Sequence, residues 1–141
     1  MASILNVDTI SGKTTAGSIS ITGEGNSTTT NLQQGLCKAW ADIAAGGASL
    51  PDSFNFSSID DDGTGEYGLN FTNAMGSINY SANATVTFNH AAGSNNVRVF
   101  VVESKATSSV EIDSGYTSSS GVYEVLDITT NASVSVAGDL A

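Results

Sequence analysis

The chain has 141 residues, enough for one compact domain or for a domain with an extended arm. Its 14 acidic and 4 basic side chains give a formal charge of −10, which repels a phosphate backbone and an anionic bilayer alike, so neither nucleic acid nor membrane insertion is expected. Hydrophobic residues make up 40% and charged residues 13%, a balance that excludes a disordered polyelectrolyte, while the abundant Asn, Ser, Thr and Gly compete with the helical backbone and favour strands and turns.

Residues 1–35 hold only short apolar alternations, Leu5 with Val7 and Ile19 with Ile21. Between and after them lie the turn-rich Ser11-Gly12-Lys13-Thr14-Thr15-Ala16-Gly17 and Gly23-Glu24-Gly25-Asn26, then the polar, β-prone Ser27-Thr28-Thr29-Thr30-Asn31. Such a stretch buries little surface by itself, so it is predicted to be an extended arm that needs a partner. Residues 1–10 show neither a basic segment nor a long apolar run, and nothing approaches the ~18 apolar residues of a membrane span, so synthesis in a cytoplasm without standard export is expected.

Residues 32–48 admit two readings. Leu32, Leu36, Trp40 and Ile43 fall near helical spacing, whereas Leu36, Lys38 and Trp40 alternate as in a strand ending at Gly46-Gly47. The helical window is short and poorly capped, which favours the extended form. Cys37 is the one cysteine, so no intrachain disulfide forms; beside Leu36 and near Trp40 it is expected to be a small buried filler.

The pattern sharpens from residue 50. Leu50-Pro51-Asp52-Ser53 is a turn, and Phe54 alternates with Phe56 before Ile59. Asp60-Asp61-Asp62-Gly63-Thr64-Gly65 reads as the several-residue loop of a hairpin whose second strand carries Tyr67, Leu69 and Phe71. Residues 78–88 alternate most regularly, with Ile78, Tyr80, Ala82, Ala84, Val86 and Phe88 on one face. Val97-Arg98-Val99-Phe100-Val101-Val102 is apolar on both faces and reads as a central strand covered on both sides. Val110 with Ile112, Val122 to Ile128, and Val134 with Val136 complete the set. Short strands, polar turns and no βαβ spacing predict an all-β fold: an antiparallel, jelly-roll-like β-sandwich over 36–141, preceded by an arm over 1–35.

Catalytic chemistry is hard to assemble from this inventory. Any Ser-His-Asp or Cys-His arrangement must use His90, the single histidine, which is expected in an exposed loop. One histidine and one cysteine do not make a transition-metal site. Alternate oxygens at Asp60, Asp62, Thr64 and Glu66 imitate the start of a calcium loop, but the glycines do not match and the distant bidentate Glu is missing, so a solvated hairpin loop is expected. No paired carboxylates and no phosphate-cradling glycine loop stand out. The Asn-x-Ser/Thr triplets at Asn26, Asn55, Asn70, Asn79, Asn83 and Asn131 follow from composition. Tyr67, Tyr80 and Tyr123 are expected to pack on strand faces, leaving Tyr116, in a loop from Asp113 to Gly121, as the exposed aromatic; Tyr116 with Asp113 is therefore the candidate ligand contact. No enzyme activity and no cofactor are expected.

Several ordered stretches carry a resemblance: Lys38-Ala39-Trp40; Asp52-Ser53-Phe54-Asn55 with Ser57-Ser58-Ile59; Asp62-Gly63-Thr64-Gly65-Glu66-Tyr67; and Asn70-Phe71-Thr72-Asn73-Ala74-Met75. Together they resemble the β-rich module of tail-fibre and related virion proteins of tailed bacteriophages, especially those of aquatic environments. Met1-Ala2-Ser3-Ile4-Leu5-Asn6-Val7-Asp8-Thr9-Ile10 is similar to the starts of many such proteins. The resemblance implies a virion structural protein that is homotrimeric. Its N-terminal part would intertwine or attach to other tail or capsid proteins, and its β-domain would face outward. The chain departs from that pattern in being far shorter than most fibres and in carrying Ala44-Ala45-Gly46-Gly47 where a longer hydrophilic stretch is usual. A short fibre, a tail-associated adaptor and a capsid-decorating protrusion all suit this length. A module that binds a host surface glycan is the alternative.

Overall fold

The computed structural model describes residues 5–13, 19–22, 29–87 and 97–140. Residues 1–4, the turns expected at 14–17 and 23–26, and Phe88, His90 and the loop at 93–96 lie outside them. The chain is all-β and divides into two units, residues 1–36 and 37–141. In the first, β1 (Ser20–Thr22) pairs antiparallel with β2 (Thr29–Asn31), and a single helical turn, α1 (Leu32–Gly35), follows. The Leu32 amide donates to the Ile19 carbonyl at 2.9 Å. Leu5, Val7, Ile10, Ile21 and Leu36 are all more than half exposed, Leu5 at 78%.

The second unit runs β3 (Cys37–Ile43), β4 (Asp52–Phe54), β5 (Phe56–Gly63), β6 (Glu66–Phe71), β7 (Ser81–Val86), β8 (Val97–Lys105), β9 (Ser109–Thr117), β10 (Tyr123–Val125) and β11 (Ala132–Ala137). One antiparallel sheet has the order β4-β3-β11-β7; the other joins β5, β6, β8, β9 and β10. Their inner faces share one core: Ala39, Ile43, Val134 and Val136 from the first sheet, and Tyr67, Leu69, Val110 and Ile112 from the second. This is the predicted antiparallel sandwich. Alternation dictates it directly in β11, where Ala132, Val134 and Val136 are buried while Ser133 and Ser135 face out.

The second sheet branches at β9. One edge of that strand is filled along most of its length by β8. The other is shared end to end: β6 takes Ser109 to Asp113, and β10 takes Gly115 to Thr117. Ser114, at the seam, donates its amide to Gly65 and accepts from Leu126. Gly65 holds φ at +76°, and a Cβ there would lie 2.4 Å from the Ser114 carbonyl oxygen. Its amide donates to Asp127 Oδ1 at 2.8 Å. Only a residue without a side chain lets the three segments meet.

Several expectations are corrected. Phe54 and Phe56 alternate in sequence yet part company: Phe54 is 50% exposed, whereas Phe56 is buried and stacks on Phe71 at 4.9 Å. Between them Asn55 adopts φ +60°, held by hydrogen bonds to Asn73, and sends the chain from one sheet to the other. The aspartate run belongs to β5, not to a long loop; Gly63 pairs with Glu66 across Thr64-Gly65. The segment 97–102 is not a central strand, because β8 pairs only with β9 among the described residues; β3 and β11 in one sheet, and β6 and β9 in the other, hold the interior places. The strand expected over 122–128 shortens to β10. Cys37 is exposed, not a core filler, because it begins β3 at an irregularity in its pairing with β11. Its thiol lies 3.1 and 3.4 Å from the carbonyl oxygens of Ala39 and Val136, and its single proton serves either.

Two tyrosines fasten the sheets. The Tyr80 hydroxyl lies 3.0 and 2.9 Å from the carbonyls of Ala106 and Ser109. Lys105 donates to the Tyr80 carbonyl at 2.9 Å with its ammonium 5.3 Å from the ring centre. Burial, then the charge of Glu111, pushes the Tyr80 phenol up to about 12, so it remains a donor. Tyr80→Phe should lower unfolding free energy by about 1–2 kcal/mol, since buried carbonyls lose their partner; a denaturant titration checks this. Tyr67 fills the space above Gly47, where a Cβ would sit 1.9 Å from the ring. Gly47→Ala should cost about 3–5 kcal/mol through that collision and its φ of +66°. Gly46→Ala, with φ +88° but open space around it, should cost only about 1–2 kcal/mol. Equal losses in the same titration would show that backbone conformation, not the Tyr67 seat, sets the requirement.

Candidate functional site

The outer face of the β4-β3-β11-β7 sheet follows from the same alternation that fills the core. With Ala39, Ala41 and Ile43 turned inward, Trp40 and Asp42 of β3 must point outward. The pairing aligns Phe54, Trp40, Ser135 and Asn83 in one row across the strands, and Asp52, Asp42, Ser133 and Thr85 in the next. Strand spacing separates neighbours in a row by about 4.8 Å, and the rows by about 6.8 Å. Trp40 is 39% exposed. Trp40, Asp42, Asn83, Thr85, Ser133 and Ser135 line a shallow groove of about 410 Å³, with Ala41 and Val134 between them. Among the described residues, the side chains of Asp42, Asn83, Thr85, Ser133 and Ser135 form no hydrogen bond. The face thus offers an aromatic plane beside a grid of free donors and acceptors; Asp42 and Asp52 are the charges of these two rows, and Lys38, of the same parity as Trp40 in β3, is 6% exposed.

Tyr116 and Asp113 are not brought together. Both lie in β9, which continues to Thr117, so the expected loop starts only at Ser118. Three residues apart on a strand, they point to opposite faces. Tyr116 is half-buried and its hydroxyl donates to the Glu124 carboxylate; that bond, ahead of desolvation, pushes the phenol pKa up. Asp113 sits between Val101 and Glu66 in the register. Its Oδ1 is buried and has no hydrogen-bond partner among the described residues. Of the tyrosines expected to pack, Tyr67 and Tyr80 are buried, while Tyr123 remains 40% exposed with its ring over Gly115.

The second sheet's outer face is acidic. A Cβ at Gly68 would lie 2.9 Å from Glu111 Oε2 and 3.0 Å from Asp62 Oδ2, so both carboxylates bend over that glycine. Asp60 accepts from Asn70 Nδ2 at 2.7 Å. No group of three Asp, Glu, His or Cys among the described residues is placed to hold a metal ion. Burial raises the Glu111 pKa; a hydrogen bond from Ser109 opposes this, and Asp62, Glu103 and Asp60 raise it further. The folded protein therefore holds the Glu111 proton more tightly than the unfolded chain. Its contribution to stability falls as pH rises through and above the ordinary value of 4.5. The melting temperature should decline on going from pH 5 toward pH 7 by this contribution, and Glu111→Gln should raise it at pH 7 and flatten the profile. A thermal-melt series across that range checks both.

Trp40 and Phe54 are the aromatics that sequence reading left without a role. A signal was available: Asp42 shares the parity of Trp40, and a carboxylate at that position fixes the face as the outer one. For Phe54 there was none, because its exposure depends on the Asn55 kink. No protein-family model matches the chain, and no curated protein and no solved structure matches it.

Proposed function

We propose that this chain is a structural subunit of a tailed-phage virion. It is a short fibre or surface appendage, on tail or capsid, that assembles as a homotrimer and has no enzymatic role. Residues 1–36 supply the inter-subunit or virion-anchoring part, and residues 37–141 are the outward module. The observation that carries this reading is the N-terminal unit: a pair of three-residue strands and one helical turn, with Leu5, Val7, Ile10, Ile21 and Leu36 all more than half exposed. A lone two-stranded ribbon is marginal in water. Apolar side chains spaced along this unit need a partner to gain burial, as an intertwined or anchored arm would provide. The sandwich, by contrast, has its own core, so arm and module divide the tasks of attachment and display. The resemblance of residues 38–75 and 1–10 to tail-fibre modules points the same way.

Light scattering on the full chain should give a mass about three times 14.3 kDa. The double variant Leu5→Asp, Ile21→Asp should fall to the single-chain mass while its sandwich still melts cooperatively. A full chain that is monomeric at micromolar concentration, or a double variant that stays trimeric, would remove the proposed role of the arm. Immunogold labelling of the particles of the encoding phage tests the location: gold on the tail or capsid is expected, and unlabelled particles would reject it.

A further inference from the structure

The outer face of the β4-β3-β11-β7 sheet combines features that a structural surface does not need. We propose that it is a binding face for neutral hexose polysaccharide, with Trp40 as the stacking platform and Asn83, Ser135, Asp42, Ser133 and Thr85 as the hydroxyl-reading grid.

The chemistry of the face selects the occupant. A pyranose ring presents C–H groups on its flat side and hydroxyls around its rim. The C–H face suits the negative π-face of an indole, and the rim needs donors and acceptors at fixed spacing. Trp40 supplies the first, with Phe54 extending the apolar surface on the neighbouring strand. The second comes from side chains at alternate strand positions in two rows, none of them engaged elsewhere among the described residues. The groove is about 410 Å³, within the ordinary range for small-molecule sites and open enough for a chain to lie across it.

Charge narrows the class. The face carries Asp42 and Asp52 with no cation in either row, on a protein whose formal charge is −10. Uronic or sulfated sugars would be repelled, whereas aspartates accept hydrogen bonds from neutral hydroxyls. A second copy of the chain fits less well. A permanent subunit interface is more apolar than this grid of Ser, Thr, Asn and Asp, and it would leave those groups to be desolvated without partners. The face does not depend on the virion reading, since its geometry lies wholly within the first sheet.

Trp40 is the only tryptophan of the chain, so emission excited selectively at the indole reads this site alone. The full chain should be titrated with malto-, laminari- and mannohexaose, with alginate hexamer as the anionic control. At least one neutral oligomer should shift the emission to the blue and protect it from acrylamide quenching in a saturable manner, and alginate should not. By calorimetry with the same oligomer, Trp40→Ala and Asn83→Ala should each weaken binding about tenfold or more, while Ser104→Ala on the other sheet leaves it unchanged. Three results would overturn the proposal: no saturable response to any neutral oligomer, binding of alginate alone, or binding undiminished in both face variants. An emission shift that follows protein concentration without sugar would also overturn it, since a second copy would then occupy the face.

Discussion

The seat of Tyr67 over Gly47 is the contact on which the rest of the sandwich depends. Tyr67 belongs to β6 in one sheet, and Gly47 to the turn that joins β3 to β4 in the other. The phenol oxygen accepts the Ile128 amide at 3.1 Å, and the Ile128 carbonyl in turn receives the amide of Gly46. One ring thus joins a strand, a hairpin turn and the approach to β11. Burial first, and then the charges of Asp127 and Asp61, push its pKa up and keep it protonated. Full burial of such a side chain stabilises by about 2–3 kcal/mol, and its hydrogen bond adds about 1 kcal/mol. The geometric effect is larger. With the ring seated, the distance between the sheets and the path of residues 126–131 are fixed together.

That path has consequences for the branching of the second sheet. Because β10 must end where Leu126 bonds to Ser114, and Asp127 must reach the Gly65 amide, β6 and β10 can share one edge of β9 only if the β5–β6 turn is narrow. Thr64-Gly65 supplies that narrow turn. The triple aspartate then falls on β5, at an edge of the sheet. Exposed charge there opposes edge-to-edge association with another sheet. The other edge, β8, bears Val101 at the surface.

How much of this could be read from the residues differs from strand to strand. The alternation of β7 and β11 is complete, and their inner and outer faces follow from it directly. In β3, Ala39, Ala41 and Ile43 have the same apolar character as Trp40, so the apolar residues alone do not choose the inner face; the charged Lys38 and Asp42, of the same parity as Trp40, do. In β8 valines stand on both sides, which is the pattern of a covered central strand, yet its second edge has no partner among the described residues. The kink at Asn55 depends on hydrogen bonds to Asn73, a partner far along the chain, and no local signal announces it. The same applies to Tyr116. Its strand is prolonged by pairing with β8 and β10, contacts that the loop-like Ser-Gly-Tyr-Thr-Ser composition conceals.

The two outer faces of the sandwich then differ in kind, and the difference has a direction. The second sheet gathers Asp60, Asp62, Glu103 and Glu111 closely enough that these charges add to burial in raising the pKa of the last, a repulsive surface that disfavours close packing. The first sheet has a polar grid, with Asp42 and Asp52 as the charges of its two rows, around an exposed indole. Mutual repulsion would hold two such acidic faces apart, whereas the polar grid can meet a neutral surface. One face of the sandwich thus resists self-association, and the other can meet a neutral surface. Alternating residues on two sheets of one short chain provide both, because every inward side chain that builds the core fixes an outward neighbour on a known face.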